Sequence, residues 1–78
     1  MQAAIRLRDA LTERVQSRTG RRVAGLSVEL ADGAVVLRGV ARSYHVKQLA
    51  QHGARELLPD ARLHNAIVVE RLTQPVAA

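Results

Sequence analysis

The sequence predicts an α+β domain, a two-layer sandwich in which two helices pack on one face of a three-stranded mixed sheet, in the order α-β-β-α-β. Three observations predict it: two helical stripes of apolar residues, a tight turn between two alternating apolar runs, and a third alternating run after the second helix. The chain has 78 residues, of which 47% are hydrophobic. We therefore expect a single domain over residues 1–72 and a flexible tail over 73–78.

The first helix is predicted over residues 2 to 19. Its apolar residues recur at spacings of three and four, so they form one stripe that faces a core: Ala4, Leu7, Leu11 and Val15. Gly20 follows the last periodic residue and suits the left-handed position that ends many helices. The helix is therefore expected to stop there, before the first strand.

The dipeptide Asp32-Gly33 predicts a two-residue hairpin turn, because both central residues of such a turn need a positive φ. Strands are expected at about 24 to 31 and 34 to 41. Counting outward from the turn, Ala31 pairs with Ala34. The next pairs fall on one face of the sheet: Leu30 with Val35, Val28 with Leu37, and Leu26 with Gly39.

Ser43 is suited to cap a second helix, predicted over 44 to 58 and ended by Pro59-Asp60. A third strand is expected from Leu63 to Val69. Since the crossover from strand two to strand three contains a helix, the two strands should run parallel, in the sheet order 1-2-3 with 2-1-3 as the alternative.

One face of this sheet is expected to meet both helices. Its predicted core is Leu26, Val28, Leu30, Val35, Leu37, Leu63, Ile67 and Val69, beneath Leu7, Leu11, Val15, Val46, Leu49 and Leu57. Gly39 is expected to let a helix approach the sheet, and Gly53 to let the second helix pack closely on the first helix or the sheet. Asn65 is expected to satisfy a backbone group at the sheet edge.

The opposite face of the sheet is unusually apolar for a surface in contact with water. Its residues are Ala31, Ala34, Val36, Val40, Ala66 and Val68, among Ser27, Glu29, Arg38, His64 and Glu70. We expect protein contact or self-association there, centred on Val36, Arg38, Val40, His64, Ala66 and Val68. Pairing along the edge of strand one is another route.

The chain carries 12 Lys and Arg against 7 Asp and Glu, a formal net charge of +5. Candidate anion contacts are Arg18, Arg21, Arg22, Arg42 and Lys47. A solvated surface is the simpler interpretation of such a group, and an anionic phospholipid surface or an acidic protein is the alternative. Nucleic-acid backbone binding is less favoured, because Tyr44 is the only aromatic residue available for stacking on bases.

No residues in the sequence combine into a catalytic site, so the chain is predicted not to be an enzyme and to need no cofactor or small-molecule substrate. His45 and His52 share a helical face, but two helical turns separate them by about 10 Å, too far to share one metal ion. His64 is expected on the uncovered sheet face. No metal site is therefore predicted, and the absence of cysteine leaves the redox compartment open.

Together, the hairpin segment Asp32 to Val40, the capped helix with Gly53-Ala54 and Leu57, and the last strand Leu63 to Val69 resemble the BON domain of bacterial osmotic-shock and nodulation proteins. The resemblance covers about residues 3 to 70. The family usually has Gly-Val where this chain has Asp60-Ala61. The resemblance implies a non-enzymatic binding module for phospholipid membranes or partner proteins, often present in tandem copies.

The first fifteen residues lack the apolar core of a signal peptide, because Arg6, Arg8 and Asp9 interrupt them. No segment approaches the roughly 18 apolar residues of a membrane span. As written, the chain is expected in the cytoplasm. BON domains commonly lie in the bacterial envelope, so the periplasm is the expectation for a domain excised from a longer exported chain.

Overall fold

The computed structural model describes residues 2–70, with side chains from residue 5 onward. Two helices pack on one face of a mixed sheet, which confirms the predicted fold class. The elements are α1 (Gln2–Thr19), β1 (Val23–Ala31), β2 (Ala34–Ala41), α2 (Tyr44–Leu57), β3 (Arg62–Asn65) and β4 (Val68–Val69). The predicted tail at 73–78 lies outside the described residues.

Helix α1 ends at the predicted glycine. Gly20 has a φ of 63°, and Arg21 beside it also has a positive φ, of 58°. The Arg21 amide donates to the carbonyl of Gln16 at 2.9 Å, and the Gly20 amide donates to the carbonyl of Ser17 at 3.3 Å. These two bonds form the Schellman motif, which satisfies carbonyls that have no partner within the helix.

The hairpin turn has the predicted geometry, with φ of 47° at Asp32 and 76° at Gly33. The predicted pairs beside it are confirmed: Ala31 with Ala34, Leu30 with Val35, and Val28 with Leu37. The turn therefore sets which residues of both strands face the helices.

Further from the turn, the predicted pairing of Leu26 with Gly39 is interrupted by a β-bulge. Ser27 pairs with Arg38 and Ala24 pairs with Val40, so two residues of β1 stand opposite Gly39 alone. One of the two is Gly25, whose φ of 62° suits the extra residue of a bulge.

Gly39 lies tightly against β1, so the prediction that it admits a helix is wrong. A Cβ atom at this position would lie 2.7 Å from Cγ1 of Val23 and 3.0 Å from the carbonyl oxygen of Ala24. Its φ of 151° is also one that residues with a side chain rarely adopt. A side chain at this position would therefore overlap with β1 at the bulge.

Helix α2 begins at the predicted cap, where the Ser43 hydroxyl accepts a hydrogen bond from the Val46 amide at 3.2 Å. Its close contact with α1 confirms the prediction for Gly53. A Cβ there would lie 3.2 Å from Cγ of Arg18 and 3.3 Å from the carbonyl oxygen of Arg14. The missing side chain brings the two helices together at this point.

The sheet order β1-β2-β3 and the parallel pairing of β2 with β3 and β4 are as predicted. The prediction of one continuous third strand is wrong, because Ala66 and Ile67 separate β3 from β4. Asn65 lies at the break: its side-chain amide donates to the Lys47 carbonyl at 2.9 Å, and its side-chain oxygen accepts from the Ile67 amide at 3.3 Å. The Asn65 side chain therefore links the segment between β3 and β4 to α2 by hydrogen bonds.

The core lies between the sheet and the helices. Its buried residues are Leu11, Val15, Val23, Val28, Val35, Leu37, Ala41, Val46, Ala50, Ala54 and Ile67. Five residues of the predicted core are only partly buried and pack against this cluster: Leu7, Leu26, Leu30, Leu57 and Leu63. Leu49 and Val69, also predicted there, are half-buried and lie outside it; α2 turns Val46, Ala50 and Ala54 inward in place of Leu49. Val23 and Ala41 were not predicted; they pair across β1 and β2 and extend the core beyond the bulge.

Candidate interaction surfaces

The uncovered sheet face is present as predicted, and no helix or strand within residues 2–70 packs on it. Val40 and Val68 are register partners on adjacent strands, and Val68 is 56% exposed. Val36 lies further along β2 and is half-buried. We call this surface the outer face; its apolar members are Ala31, Ala34, Val36, Val40, Ala66 and Val68.

Charged side chains divide the outer face by strand. On β1, Glu29 accepts a hydrogen bond from Nε of Arg38 at 2.8 Å, and both side chains are more than half exposed. On β3, Arg62 and His64 are exposed, and His64 is the register partner of Val36. The acidic Glu29 of β1 is therefore paired with Arg38 of β2, and the opposite edge carries the basic Arg62 and His64 together with the acidic Glu70 after β4.

The structure brings two of the predicted anion contacts together. Arg22 and Arg42, with Ser43 and Val46, line a hollow of about 360 Å³. The two arginines meet because Val23 pairs with Ala41, which places the end of α1 beside the start of α2. Nε of Arg22 donates to the Thr19 carbonyl at 2.8 Å, which holds the stem of this side chain beside the helix end.

Arg18 lies apart from this hollow, in an ion-pair cluster between the helices. Its Nε donates to Glu56 at 2.8 Å, and Nη1 of Arg14 donates to the same oxygen at 2.9 Å. The hydrogen bond from Arg18, and then that from Arg14, lowers the pKa of the Glu56 carboxyl from its ordinary value of 4.5. Arg18 therefore already has an acidic partner within the fold, which it shares with Arg14.

The remaining two predicted contacts are less definite. Arg21 is exposed at the left-handed residue after α1, next to Arg22. Lys47 is half-buried on the first turn of α2, where its carbonyl accepts from Asn65. The arrangement therefore centres any anion contact on Arg22 and Arg42.

An apolar hollow of about 350 Å³ at the hairpin end of the sheet was not predicted. Its lining includes Leu7 from α1, Leu30 and Val35 from the hairpin, and Leu58 and Ala61 from the segment after α2. One signal of it is present in the sequence, since the apolar residues Leu58 and Ala61 flank the predicted helix stop Pro59-Asp60.

Within the part of the chain that the structure describes, no group of three or more His, Cys, Asp or Glu side chains is placed to hold a metal ion. His45 and His52 are both exposed on α2. None of the helices described is both long enough and apolar enough to cross a membrane.

A scan against protein-family models, a search of curated proteins and a search of solved structures found no match to this chain. The fold and its surfaces define a small two-layer α+β domain with an exposed, partly apolar sheet face. Membership of the BON family stays a prediction.

Proposed function

We propose that this chain is a non-catalytic interaction module, similar to a BON domain, that binds a second copy of itself through the outer face. The observation that carries the proposal is the apolar pair of Val40 and Val68, with Val36 further along β2 beyond Arg38, on a face over which no described element packs. Isologous contact suits such a face, because the same apolar surface is buried on both copies.

The size of the face sets the expected strength of the association. Three strands about 4.8 Å apart and eight residues long give roughly 14 Å by 25 Å, or roughly 350 Å² from each copy. Stable interfaces bury at least about 1,000 Å² in total. We therefore expect a reversible dimer with a dissociation constant in the micromolar range or weaker.

Sedimentation equilibrium from about 1 μM to about 1 mM, which spans the range expected for an interface of this size, tests the proposal. The native chain should dimerise, and Val36→Glu/Val68→Glu should be monomeric because each copy would bury two carboxylates. Ile5→Glu/Tyr44→Glu is the matched control, since it adds the same charge at helical residues that are 46% and 58% exposed. A native chain that stays monomeric throughout, or a control that also abolishes the dimer, contradicts the proposal.

A second candidate function is contact with anionic phospholipid, which the hollow lined by Arg22 and Arg42 favours. Neither side chain has an acidic partner among the residues described. Two guanidinium groups that keep free N–H donors and have no acidic partner among the described residues can hold a phosphate by charge-assisted hydrogen bonds. The resemblance to BON domains supports the same ligand class.

Vesicle co-sedimentation tests the second candidate. Vesicles that contain anionic lipid should retain the native chain, and vesicles of zwitterionic lipid alone should not. Arg22→Gln/Arg42→Gln should lose this binding, whereas Arg8→Gln/Arg55→Gln, which removes the same charge from exposed helical residues, should keep it. Equal losses in both variants contradict a localised site. Salt-sensitive binding to DNA without binding to vesicles would favour the nucleic-acid alternative.

A further inference from the structure

The hollow lined by Arg22 and Arg42 offers hydrogen-bond donors from three side chains. Nε of Arg22 donates to the Thr19 carbonyl at 2.8 Å, so this guanidinium presents its Nη atoms. Arg42 makes no ion pair within residues 2–70, so it presents a complete fork of Nε and Nη donors. Ser43 also lines the hollow; its hydroxyl oxygen accepts from the Val46 amide, and its hydroxyl proton is left to donate.

These donors can be compared with the oxygens of the two kinds of phosphate group. A guanidinium fork binds two oxygens of one anion. A phosphate diester has two oxygens outside its ester bonds and a single negative charge, so Arg42 alone can satisfy it. A monoester has three such oxygens and a charge of about −1.5 to −2 at pH 7. Its third oxygen and additional charge are suited to Arg22 and Ser43.

The surroundings of the hollow leave the choice to these three side chains. The volume of about 360 Å³ admits either kind of phosphate, since a water molecule occupies about 30 Å³. Arg21 and Lys47 are the basic residues nearby in the chain. Glu70 is an acidic residue at this end of the sheet, because its amide donates to the Ala41 carbonyl at 2.7 Å. Its carboxylate does not line the hollow and forms no ion pair within residues 2–70.

We infer that the hollow binds a phosphate monoester in preference to a phosphate diester, an inference that rests on the proposed contact with anionic phospholipid. Arg42 binds two oxygens of the monoester through its fork, and Arg22 binds the third through its Nη atoms. The Ser43 hydroxyl donates to the same group. Phosphatidic acid and inorganic phosphate both supply these three oxygens, whereas the phosphate of phosphatidylglycerol is a diester.

Co-sedimentation with phosphatidylcholine vesicles that contain either phosphatidic acid or phosphatidylglycerol tests the preference. At about pH 8 a monoester carries nearly two charges, so half the mole fraction of phosphatidic acid gives both vesicles the same surface charge. The native chain should bind the vesicles with phosphatidic acid about tenfold more tightly.

Ser43→Asp is the sharpest variant, because it keeps an oxygen that can cap α2 and places a carboxylate in the hollow. It should abolish the preference for phosphatidic acid. Ala10→Glu is the matched control: it adds the same charge at an exposed residue of α1 and should keep the preference. Circular dichroism checks that both variants are folded.

An excess of inorganic phosphate distinguishes the two sources of the monoester, with sodium chloride at equal ionic strength as the control for screening. If the native chain prefers phosphatidic acid, its displacement by phosphate assigns the ligand to a phosphate in solution. Retention on the vesicles assigns the ligand to the lipid headgroup. Either result supports recognition of the monoester.

Equal affinity for the two kinds of vesicle at equal surface charge overturns the inferred preference, while the proposed contact with anionic lipid stands. A Ser43→Asp variant that keeps the preference as well as Ala10→Glu does overturns its assignment to the hollow. A native chain that neither kind of vesicle retains overturns the lipid contact and the inference together.

Discussion

Replacement of Gly39 by alanine should be far more damaging than the same change at Gly25, although both glycines lie in the same bulge. At Gly25 a Cβ atom meets nothing within 4 Å, so Gly25→Ala costs only the strain of a positive φ, about 1 kcal/mol. At Gly39 the strain of a φ of 151° adds about 1 to 3 kcal/mol.

Steric overlap adds a second cost at Gly39. The new methyl group would lie 2.7 Å from Cγ1 of Val23, a side chain that is 5% exposed, and 3.0 Å from the carbonyl oxygen of Ala24. The carbonyl oxygen belongs to the backbone of β1 and the Val23 side chain is buried, so overpacking costs about 1 to 3 kcal/mol more. The sum, about 2 to 6 kcal/mol, is comparable with the roughly 3 to 5 kcal/mol that a domain of this size has in total.

Urea unfolding followed by far-UV circular dichroism measures both variants. Gly25→Ala should keep a cooperative transition with its midpoint lowered by about 1 M, for a slope of about 1 kcal/mol/M. Gly39→Ala should be largely unfolded without urea, or should have a midpoint lower than that of Gly25→Ala by at least about 1 M. Equal midpoints for the two variants would refute the assignment of Gly39 to a close contact with β1.

Three further predictions concern polar groups. Ser43→Ala removes the cap of α2 and should cost about 1 kcal/mol in urea unfolding, whereas Ser43→Asp should be nearly neutral; equal losses would contradict the cap. Asn65→Ala leaves a carbonyl of α2 and an amide of the strand break unpaired and should cost about 1 to 3 kcal/mol by the same assay, so a neutral result would contradict its role. Because Arg18 lowers the pKa of Glu56 below 4.5, the stability that this pair contributes is present above about pH 4.5 and is lost as the pH falls through the lowered value. Glu56→Gln should remove that part of the acid destabilisation, and an unchanged pH profile below about pH 4.5 would contradict the pairing.

The hairpin was predictable because local chemistry determines it. Asp32-Gly33 permits only a tight turn, and the alternation on each side then sets the register. Ser43 and Gly20 marked helix ends for the same reason, since a capping hydroxyl and a left-handed glycine act within a few residues. Local signals of this kind determined the element order and most of the core.

The bulge and the strand break depend on contacts between distant segments. A glycine within a strand often marks a bulge, but no bulge was predicted at Gly25, and only the pairing of Val23 with Ala41 shows that the register shifts. At the break, the alternation of inward and outward residues continues through Ala66 and Ile67, so the sequence pattern contains no sign of it. The bond from Asn65 to the Lys47 carbonyl forms only after α2 has docked.

The candidate surfaces were predictable to different degrees. The outer face follows from alternation in the hairpin, so Val36 and Val40 could be assigned to it directly. The sequence shows which arginines lie close together along the chain. It does not show which of them form ion pairs and which line a common hollow. The pairing of Arg18 with Glu56 needs the close helix contact at Gly53, and the meeting of Arg22 with Arg42 needs the paired ends of β1 and β2.

The apolar hollow between Leu7, Leu58 and the hairpin has a consequence for how the domain opens. At the other end of the sheet, Val23 and Ala41 are buried and the bulge leaves no room for a methyl group on Gly39. Packing density therefore falls along β1 and β2 from the bulge toward the turn, and local stability should fall in the same direction. Transient opening of the native state should start at the turn and stop short of the bulge.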